Sequence, residues 1–375
     1  MSKKNHKVLQ VVGGMDVGGT ESMIMNLYRQ IHKDIRFDFI SYYNRDGYYD
    51  KEIIDLGGKI IRTKSPTEIG QIKAIKDLYK IIKEGRYDIV HAHTLFNCGI
   101  AMIAAKLAGA KIRISHSHTN LDVGNSIVKK FYFTIMRILI IVFSTNYIAC
   151  SNSAGKYLFG KNIIKNNKYK VLPNYVDYTK FLKFHNNIDL IRKLKLNDGD
   201  IIVGHIGRFV DAKNHNFLIE IANKIINKDN RIKFILVGDG PLKEEIEKKV
   251  IKLGIGDNVF LLGIRKDVEL ILNTCDIFIF PSIYEGLGLV MLEAQACGLP
   301  CLVSEAIQPE ADLGIGLVKQ IKLDDGIDKW VDEVLNLIGK KNNNKETIEE
   351  AFKANGYEIE DIVNTLLDVY KININ

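Results

Sequence analysis

The chain has 375 residues, of which 46% are hydrophobic and 26% are charged, and this composition excludes a disordered or fibrous protein and favours two globular domains. Residues 1–180 hold 28 Lys and Arg against 14 Asp and Glu, a balance of +14, whereas the rest of the chain carries −7, so the two halves are expected to meet different partners. The five cysteines form no Cys-x-x-Cys pair, which argues against a disulfide framework and predicts a reducing, cytoplasmic location.

Strand patterns alternate with amphipathic helical patterns along the whole chain. In the first half the strand patterns are "KVLQVV", "RFDFIS", "KIIRT", "DIVHAH", "KIRISHSH", "NYIAC" and "YKVLP", and in the second half "DIIVGHIG", "KFILVGDG", "NVFLLG", "DIFIFPS" and "PCLVSE". Continuous apolar strands separated by helices are typical of parallel sheets covered on both faces. The sequence therefore predicts an α/β protein with two doubly wound, Rossmann-like domains.

The pattern restarts near residue 200, which places the first domain at 1–180, a linker at about 175–198 and the second domain at 198–345. The polar segment 339–350 is predicted to be an exposed connection, and a helix at about 358–372 is predicted to pack on the first domain. The N-terminus has only a short apolar run, so no signal peptide is expected. The most apolar segment, 131–143, is interrupted by Arg137 and is predicted to be a buried helix that is too short to span a bilayer.

Glycines dominate the turn after the first strand, "VVGGMDVGGTES", where Gly18 and Gly19 precede a helix. Such a turn either lets a ligand approach the backbone and the helix N-terminus, or is a flexible connection only. It does not read Gly-x-Gly-x-x-Gly, and no acidic residue clearly ends the second strand, so a dinucleotide site is disfavoured.

Two cations, Arg208 and Lys213, follow the first strand of the second half in "HIGRFVDAKNH". Placed on a strand-end loop, they can bind a diphosphate through charge-assisted hydrogen bonds, or they are solvated surface charges. The next turn, "VGDGPLKEE", is interpreted mainly as a helix start with Pro241 in the first turn.

Glu285 and Glu293 lie in "FPSIYEGLGLVMLEAQACGLP", residues 280–300, in a turn and in the helix after it. If most of the intervening residues are helical, the two are separated along the chain by roughly 10 Å. Carboxylates accept hydrogen bonds from vicinal hydroxyls, and the amides of Gly288 and Leu289 would face phosphates at the helix N-terminus. One ligand with a sugar at each end of a diphosphate fits this pattern.

These motifs resemble retaining glycosyltransferases of family 4. The resemblance covers nearly the whole chain and rests on "GGTES", "PNYVD", "GRFVDAKN", "VGDGP" and the Glu-x7-Glu spacing within residues 280–300. It implies the GT-B architecture, in which two Rossmann-like domains face a central cleft. The first domain would bind the acceptor and the second the donor. Tyr175 stands where the family usually has glycine.

The resemblance also implies roles for the marked residues. Glu285 would bind the hydroxyls of the transferred sugar, Glu293 the ribose, and Arg208 and Lys213 the diphosphate, while Gly19 would line the cleft. The family places a histidine after the strand that precedes the acceptor loop, and "HSH" offers two candidates, His116 and His118. We prefer His118 as the catalytic one. Gly18 and His116 are then the other residues assigned to the acceptor side.

The resemblance further implies a nucleotide-sugar donor, most often a UDP-sugar, and retention of anomeric configuration without a metal or other cofactor. "HSHTN", "ACSN" and "PNYVD" resemble the exopolysaccharide and capsule branch, whose acceptor is a lipid-linked saccharide at the inner face of a bacterial membrane. The triplet Asp198-Gly-Asp200 is interpreted as a turn and not as a metal-binding motif.

The basic first half predicts peripheral contact with anionic membrane, and the cluster 126–137, with Lys129 and Lys130, is a candidate interfacial helix. Nucleic acid is not expected as a partner, because basic and aromatic residues do not interleave in a recognisable module. Two other functions stay open: a nucleotide-sugar epimerase of the same architecture, and an inactive sugar-nucleotide-binding partner of an assembly complex.

Overall fold

The computed structural model describes residues 6–16, 18–118, 127–173, 175–183, 188–285 and 287–372. The chain divides into two compact units. Unit 1 holds the residues up to Tyr175 together with those from Gly356 onward, and unit 2 holds Val176–Asn355. Asn174 of "PNYVD" and Gly286 beside Glu285 lie outside the described residues.

Unit 1 contains a seven-stranded parallel sheet with the order β3-β2-β1-β4-β5-β6-β7. Its strands are β1 (His6–Val11), β2 (Ile35–Ser41), β3 (Lys59–Arg62), β4 (Ile89–Ala92), β5 (Ile112–Ser117), β6 (Asn146–Ala149) and β7 (Tyr169–Val171). The chain order reverses between β1 and β4, the point at which doubly wound sheets bind ligands beyond their carboxyl ends.

Unit 2 contains a six-stranded parallel sheet with the order β10-β9-β8-β11-β12-β13. Its strands are β8 (Ile201–Ile206), β9 (Ile232–Val237), β10 (Val259–Leu261), β11 (Ile277–Phe280), β12 (Cys301–Ser304) and β13 (Val318–Ile321). Here the order reverses between β8 and β11.

Helices connect the strands in both units. In chain order they are α1 (Gly19–Ile31), α2 (Asp50–Asp55), α3 (Pro66–Ile69), α4 (Gln71–Gly85), α5 (Cys98–Ala108), α6 (Ile127–Phe143), α7 (Asn152–Phe159), α8 (Ile188–Lys193), α9 (His215–Lys228), α10 (Lys243–Lys252), α11 (Val268–Thr274), α12 (Leu289–Ala296), α13 (Gly326–Leu337), α14 (Lys345–Ala354) and α15 (Ile359–Tyr370). Short 3-10 helices lie at Leu95–Asn97, Ile163–Lys165, Tyr178–Lys180, Asp211–Lys213, Pro309–Ala311 and Leu323–Asp325.

The sheet of unit 1 is covered on both faces. One core cluster packs α4 and α5 against the sheet, and the other packs α1 and α15 against it. In unit 2 a core cluster includes the fully buried Trp330. Apart from β10, the short edge strand, the strands β8–β12 are mostly buried on both faces. Their sequences therefore read as continuous hydrophobic runs. The architecture is α/β with two Rossmann-like domains, as predicted.

Three local predictions need correction. The segment 339–350 is not wholly a connection, because α14 begins at Lys345. Strand β13 and helix α13 were not predicted. Helix α6 was expected to be buried, but one of its faces is exposed: Val128, Phe131, Ile138 and Val142 expose between 53% and 78% of their surface.

Two further observations concern the cysteines and the length of the apolar helices. All five cysteines are unpaired and buried, so none contributes a disulfide. Among the described residues, no helix has the length and apolarity needed to span a bilayer.

Candidate active site

The motifs of the second half meet at the carboxyl edge of the unit 2 sheet. The loop 207–214 follows β8, the loop 238–242 follows β9, and the loop 281–288 follows β11. Because neighbouring parallel strands end on the same edge, residues far apart in the chain are brought together there.

Lys213 and Glu285 form an ion pair on this edge. Lys213 ends the 3-10 helix Asp211–Lys213, and the Ile283 N–H donates to the Ala212 carbonyl at 2.8 Å, which ties the two loops together. Ser282 Oγ donates to Glu285 Oε1 at 2.8 Å, and Lys213 Nζ lies 4.6 Å from the centroid of the Phe280 ring. The side chains expose only 19% and 9% of their surface, so each compensates the other's charge in a largely desolvated place.

Arg208 lies in the same loop but differs from Lys213 in its surroundings. Its side chain is exposed and makes no ion pair with any residue in the described ranges. An exposed guanidinium keeps its donors available for an anionic ligand. Of the two predicted cations, one is therefore paired with a carboxylate and the other is solvated.

The turn "VGDGP" has a second role besides starting a helix. A Cβ on Gly238 would lie 2.0 Å from the Gly207 carbonyl oxygen, and a Cβ on Gly240 would lie 2.5 Å from that of Phe209. Both glycines have positive φ, 139° and 159°. Only glycine allows this backbone approach, so the turn supports the loop that carries Arg208.

Glu293 lies in the second turn of α12, and its carboxylate forms no hydrogen bond with the described residues. Burial raises the pKa of this carboxyl to about 7, and the nearby Glu269 adds to the shift. Gly288 caps the helix with φ +75° and Leu289 is its first residue, so the first amides of α12 lack intrahelical acceptors. A ligand that donates hydrogen bonds would stabilise the ionised form of this buried carboxyl.

Two histidines that sequence reasoning missed lie beneath the cationic loop. His205 is fully buried, with Nδ1 2.9 Å from the Ile279 carbonyl oxygen, so this nitrogen donates. His215 stacks on Phe209 at 4.0 Å. Burial, with Lys213 as a second cause, lowers the pKa of His215 to about 4, and burial likewise lowers that of His205. Both are therefore neutral and hold the loop without adding charge; their apolar surroundings in sequence gave no signal of this.

In unit 1 the predicted residues lie at the start of α1 and at the end of β5. Gly18 is the N-cap of α1 and Gly19 its first residue. His116 is fully buried in β5 and His118 is 8% exposed just after it. His91 and His93, in and after β4, lie beside them: His91 Nε2 is 3.2 Å from His116 Nδ1, and His93 Nδ1 is 2.8 Å from His118 Nε2. Their His-x-His spacing matches that of "HSH" and was the available signal.

An open cavity of about 330 Å³ lies at the same edge of unit 1. It is lined by Gly13, Tyr42, Ser65, Pro66, Thr67, His93, Thr94, Leu95 and Asn97, of which five carry a hydroxyl or a side-chain amide. Hydroxyl and amide groups of this kind match the hydroxyls of a polyol ligand.

Family models match both halves of the chain. Residues 17–180 match the model "Glycosyltransferase Family 4", and residues 186–354 match "Glycosyl transferases group 1". The two matches share no residue and together span both units.

Curated relatives extend over most of the chain. It is 35% identical over 377 residues to the putative glycosyltransferase EpsF of Bacillus subtilis, covering 100% of this chain and 98% of the relative. It is 31% identical over 319 residues to the UDP-Gal:alpha-D-GlcNAc-diphosphoundecaprenol alpha-1,3-galactosyltransferase of Escherichia coli, covering 80% of each. It is also 26% identical to the capsular polysaccharide biosynthesis glycosyltransferase CapH of Staphylococcus aureus, over 77% of this chain and 78% of CapH.

Solved structures share the fold at lower identity. Anabaena HepE in complex with UDP and glucose has a TM-score of 0.76 at 18% identity and covers 98% of this chain and 100% of its own. A glycosyltransferase from Rickettsia africae has a TM-score of 0.77 at 19% identity, covering 98% of each chain. The fold is that of a GT-B glycosyltransferase. The chain belongs to glycosyltransferase family 4.

Proposed function

We propose that the protein is a retaining hexosyltransferase that uses a UDP-sugar donor and a lipid-linked saccharide acceptor in exopolysaccharide or capsule synthesis. One observation carries the proposal: the largely buried Lys213–Glu285 pair joins the loops that follow β8 and β11, and Glu293 lies in the second turn of α12, the helix that the second loop leads into. The similarity to CapH, a glycosyltransferase of capsular polysaccharide biosynthesis, and to the diphosphoundecaprenol-dependent galactosyltransferase supports the biosynthetic context.

The donor is held in unit 2 in this proposal. Arg208 and Lys213 bind the diphosphate, the amides at Gly288 and Leu289 add donors, and Glu293 accepts hydrogen bonds from the ribose hydroxyls. Glu285 binds hydroxyls of the transferred sugar and contacts Lys213. It positions the sugar and does not act as a nucleophile.

Transfer with retention then proceeds by front-face attack through an oxocarbenium-like transition state. Negative charge develops on the departing diphosphate, and Arg208, Lys213 and the helix-end amides stabilise it. This role needs no metal. In the described part of the chain, the one His, Cys, Asp and Glu group with metal-ligand spacing is His91, His93 and His116 of unit 1. Asp198-Gly-Asp200 forms a turn in which Asp200 Oδ2 accepts from the Asn197 N–H at 2.8 Å.

The acceptor binds to unit 1, where the lining of the cavity includes four hydroxyls and the amide of Asn97, which can bind a saccharide. His118 is the proposed catalytic histidine of this side, and Gly18 gives the acceptor close access to the backbone. The relative from Escherichia coli acts on a diphosphoundecaprenol-linked sugar, which supports a lipid-linked acceptor for this protein.

Membrane contact is proposed through α6. Its exposed apolar residues, Val128, Phe131, Ile138 and Val142, recur at helical spacing, and the exposed Lys129 and Lys130 lie beside the first of them. An apolar face with neighbouring lysines suits the interface of an anionic bilayer. This arrangement would hold a peripheral enzyme near a lipid-linked acceptor.

Incubation with UDP-sugars tests the function. A thermal-shift screen first identifies a stabilising donor, and the donor is then incubated with and without undecaprenyl-diphosphate-linked N-acetylhexosamine. Transfer with an unchanged anomeric configuration, determined by NMR of the product, is the expected result. Conversion of the donor to another nucleotide sugar without acceptor would identify an epimerase instead. Donor binding with neither reaction would identify an inactive binding partner.

A further inference from the structure

Four buried or half-buried histidines form an array on two neighbouring strands of unit 1. His91 and His93 belong to β4 and its end, and His116 and His118 to β5 and its end. Within each pair the spacing of two residues places both side chains on one face of the sheet. Adjacent rings have centroids 4.0 to 5.2 Å apart. We call these four residues the histidine array.

Gln10, in the adjacent strand β1, connects the array through its side-chain amide. Its Oε1 lies 2.8 Å from His93 Nε2, and its Nε2 lies 3.2 Å from the Tyr370 hydroxyl. The same hydroxyl lies 2.8 Å from His91 Nδ1. Gln10 and Tyr370 are each only 1% exposed, so water cannot substitute freely for these partners.

One branch runs from Gln10 to His118. The amide oxygen of Gln10 can only accept, so His93 Nε2 carries a proton. Burial lowers the pKa of His93 well below its usual range, so the ring is neutral and its Nδ1 is an acceptor. The 2.8 Å contact with His118 then requires His118 Nε2 to donate. In a neutral His118, the acceptor lone pair is consequently on Nδ1.

The other branch runs from Gln10 through Tyr370. The amide nitrogen of Gln10 donates to the Tyr370 oxygen, and the hydroxyl proton of Tyr370 is donated to His91 Nδ1. His91 is neutral, because burial lowers its pKa to about 3. Its Nε2 therefore donates to His116 Nδ1 at 3.2 Å. Reversing the amide of Gln10 would reverse the donor and acceptor at every step of both branches.

We propose that Gln10 sets the tautomers of the histidine array and is thereby a positioning residue for His118 in sugar transfer. The proposal deepens the proposed function and rests on it for the role of His118. Gln10 fixes which ring nitrogen of His118 accepts a hydrogen bond from a sugar hydroxyl. The group that His118 would recognise is a hydroxyl of a polyol. The hydrogen bonds described above form with all four rings uncharged.

The test measures tautomers and transfer separately in the full chain. Long-range 1H–15N correlation spectra of 15N-histidine-labelled protein distinguish protonated from unprotonated ring nitrogens, with assignments from single His→Asn variants. In the wild type, Nε2 is expected to be protonated in both His93 and His118. In Gln10→Met, which keeps the length but removes both amide groups, both residues are expected to become tautomer mixtures. Loss of this orientation should lower kcat by roughly tenfold or more with little change in donor KM.

His91→Phe is the matched variant, because it removes a ring of the other branch and keeps both amide contacts of Gln10, to Tyr370 and to His93. It should alter the tautomer of His116 and leave that of His118 as in the wild type. Unchanged His118 shifts in folded Gln10→Met would overturn the proposal, as would altered shifts with unchanged kcat.

Zn²⁺-dependent shifts that EDTA reverses would also overturn it, because a metal would then fix the rings. Absence of any transferase activity in the wild type would refute the proposed function and the role of Gln10 in transfer, while the tautomer spectra would still report on the array itself.

Discussion

The ammonium group of Lys213 contacts the carboxylate of Glu285, although the two residues are 72 positions apart in the chain. Each was assigned to a different part of one ligand, the diphosphate and the transferred sugar. Their contact means that a donor must bind without leaving either charge uncompensated in a largely desolvated place. Diphosphate oxygens and sugar hydroxyls can replace the pair as partners, which links recognition of both parts of the donor.

Replacing either cation should weaken donor binding, but the two replacements should differ in their effect on stability. Lys213→Ala and Arg208→Ala should each lower UDP affinity about tenfold or more, since a charge-assisted bond contributes roughly 1.5–3 kcal/mol. Only Lys213→Ala should also lower the Tm, because it leaves Glu285 without its partner. Calorimetry and thermal denaturation provide the measurements, with the exposed Lys252→Ala as control. Unchanged UDP affinity in both variants would contradict the assignment.

The two glutamates should separate nucleotide binding from transfer. Glu293→Ala should lose affinity for UDP, because Glu293 is assigned to the ribose. Glu285→Gln should retain most of that affinity and lose transfer, because its assigned partner is the sugar, which UDP lacks. UDP titrations and initial rates on both variants decide this. Equal losses of UDP affinity would reject the division of roles.

Stability should depend on pH through Glu293. Its native pKa of about 7 lies above the ordinary value of 4.5, so the native state binds this proton more tightly than the unfolded state. The resulting stabilisation is complete below about pH 4.5 and is lost as the pH rises through 7. The unfolding free energy of the wild type minus that of Glu293→Gln should therefore fall between pH 5 and pH 8. The exposed Glu350→Gln should show no such trend, and a flat difference for Glu293 would show that its pKa is not raised.

Transfer should survive excess EDTA. The expectation follows from assigning the leaving diphosphate to Arg208, Lys213 and the amides of α12. Initial rates with and without chelator are compared on protein dialysed against EDTA. Loss of activity that Mg²⁺ or Mn²⁺ restores would mean that a divalent ion takes part in binding or leaving-group stabilisation.

Binding to anionic liposomes should depend on salt and on α6. Each well-placed lysine near an anionic surface contributes about 1 kcal/mol at low ionic strength. Lys129→Glu/Lys130→Glu should therefore lower flotation more than Lys161→Glu/Lys168→Glu, which makes the same charge change on exposed residues elsewhere in unit 1. Phe131→Ser should weaken binding even where salt has removed the charge term. Equal flotation of all variants would exclude α6 as the contact.

Sequence patterns predicted the sheets well, because strands buried on both faces leave long apolar runs. They failed at β13, an edge strand whose Lys319 and Gln320 are exposed and break the run. They also failed on one face of α6, since an apolar helix reads the same whether its second face meets a core or solvent. A sequence pattern shows which residues are apolar, but it does not show whether another element packs against them.

The site residues were found by motif, but their mutual contacts were not. Nothing in the local sequence states that Lys213 reaches Glu285, because this depends on the Ile283–Ala212 hydrogen bond between two loops. His91 and His93 were read only as part of a strand, and their proximity to His116 and His118 follows from strand order. The donor and acceptor roles of all these residues stay predictions.

Helix α15 buries Ile362, Leu366 and Tyr370 in the core of unit 1, although 180 residues of unit 2 separate it from the rest of that core. During synthesis, residues up to Tyr175 leave the ribosome with this part of their core uncovered, and unit 2 can complete its own fold first. A chain interrupted before residue 359 would expose apolar surface in unit 1 while leaving unit 2 whole. Unit 1 can therefore complete its core only after all of unit 2 has been synthesised.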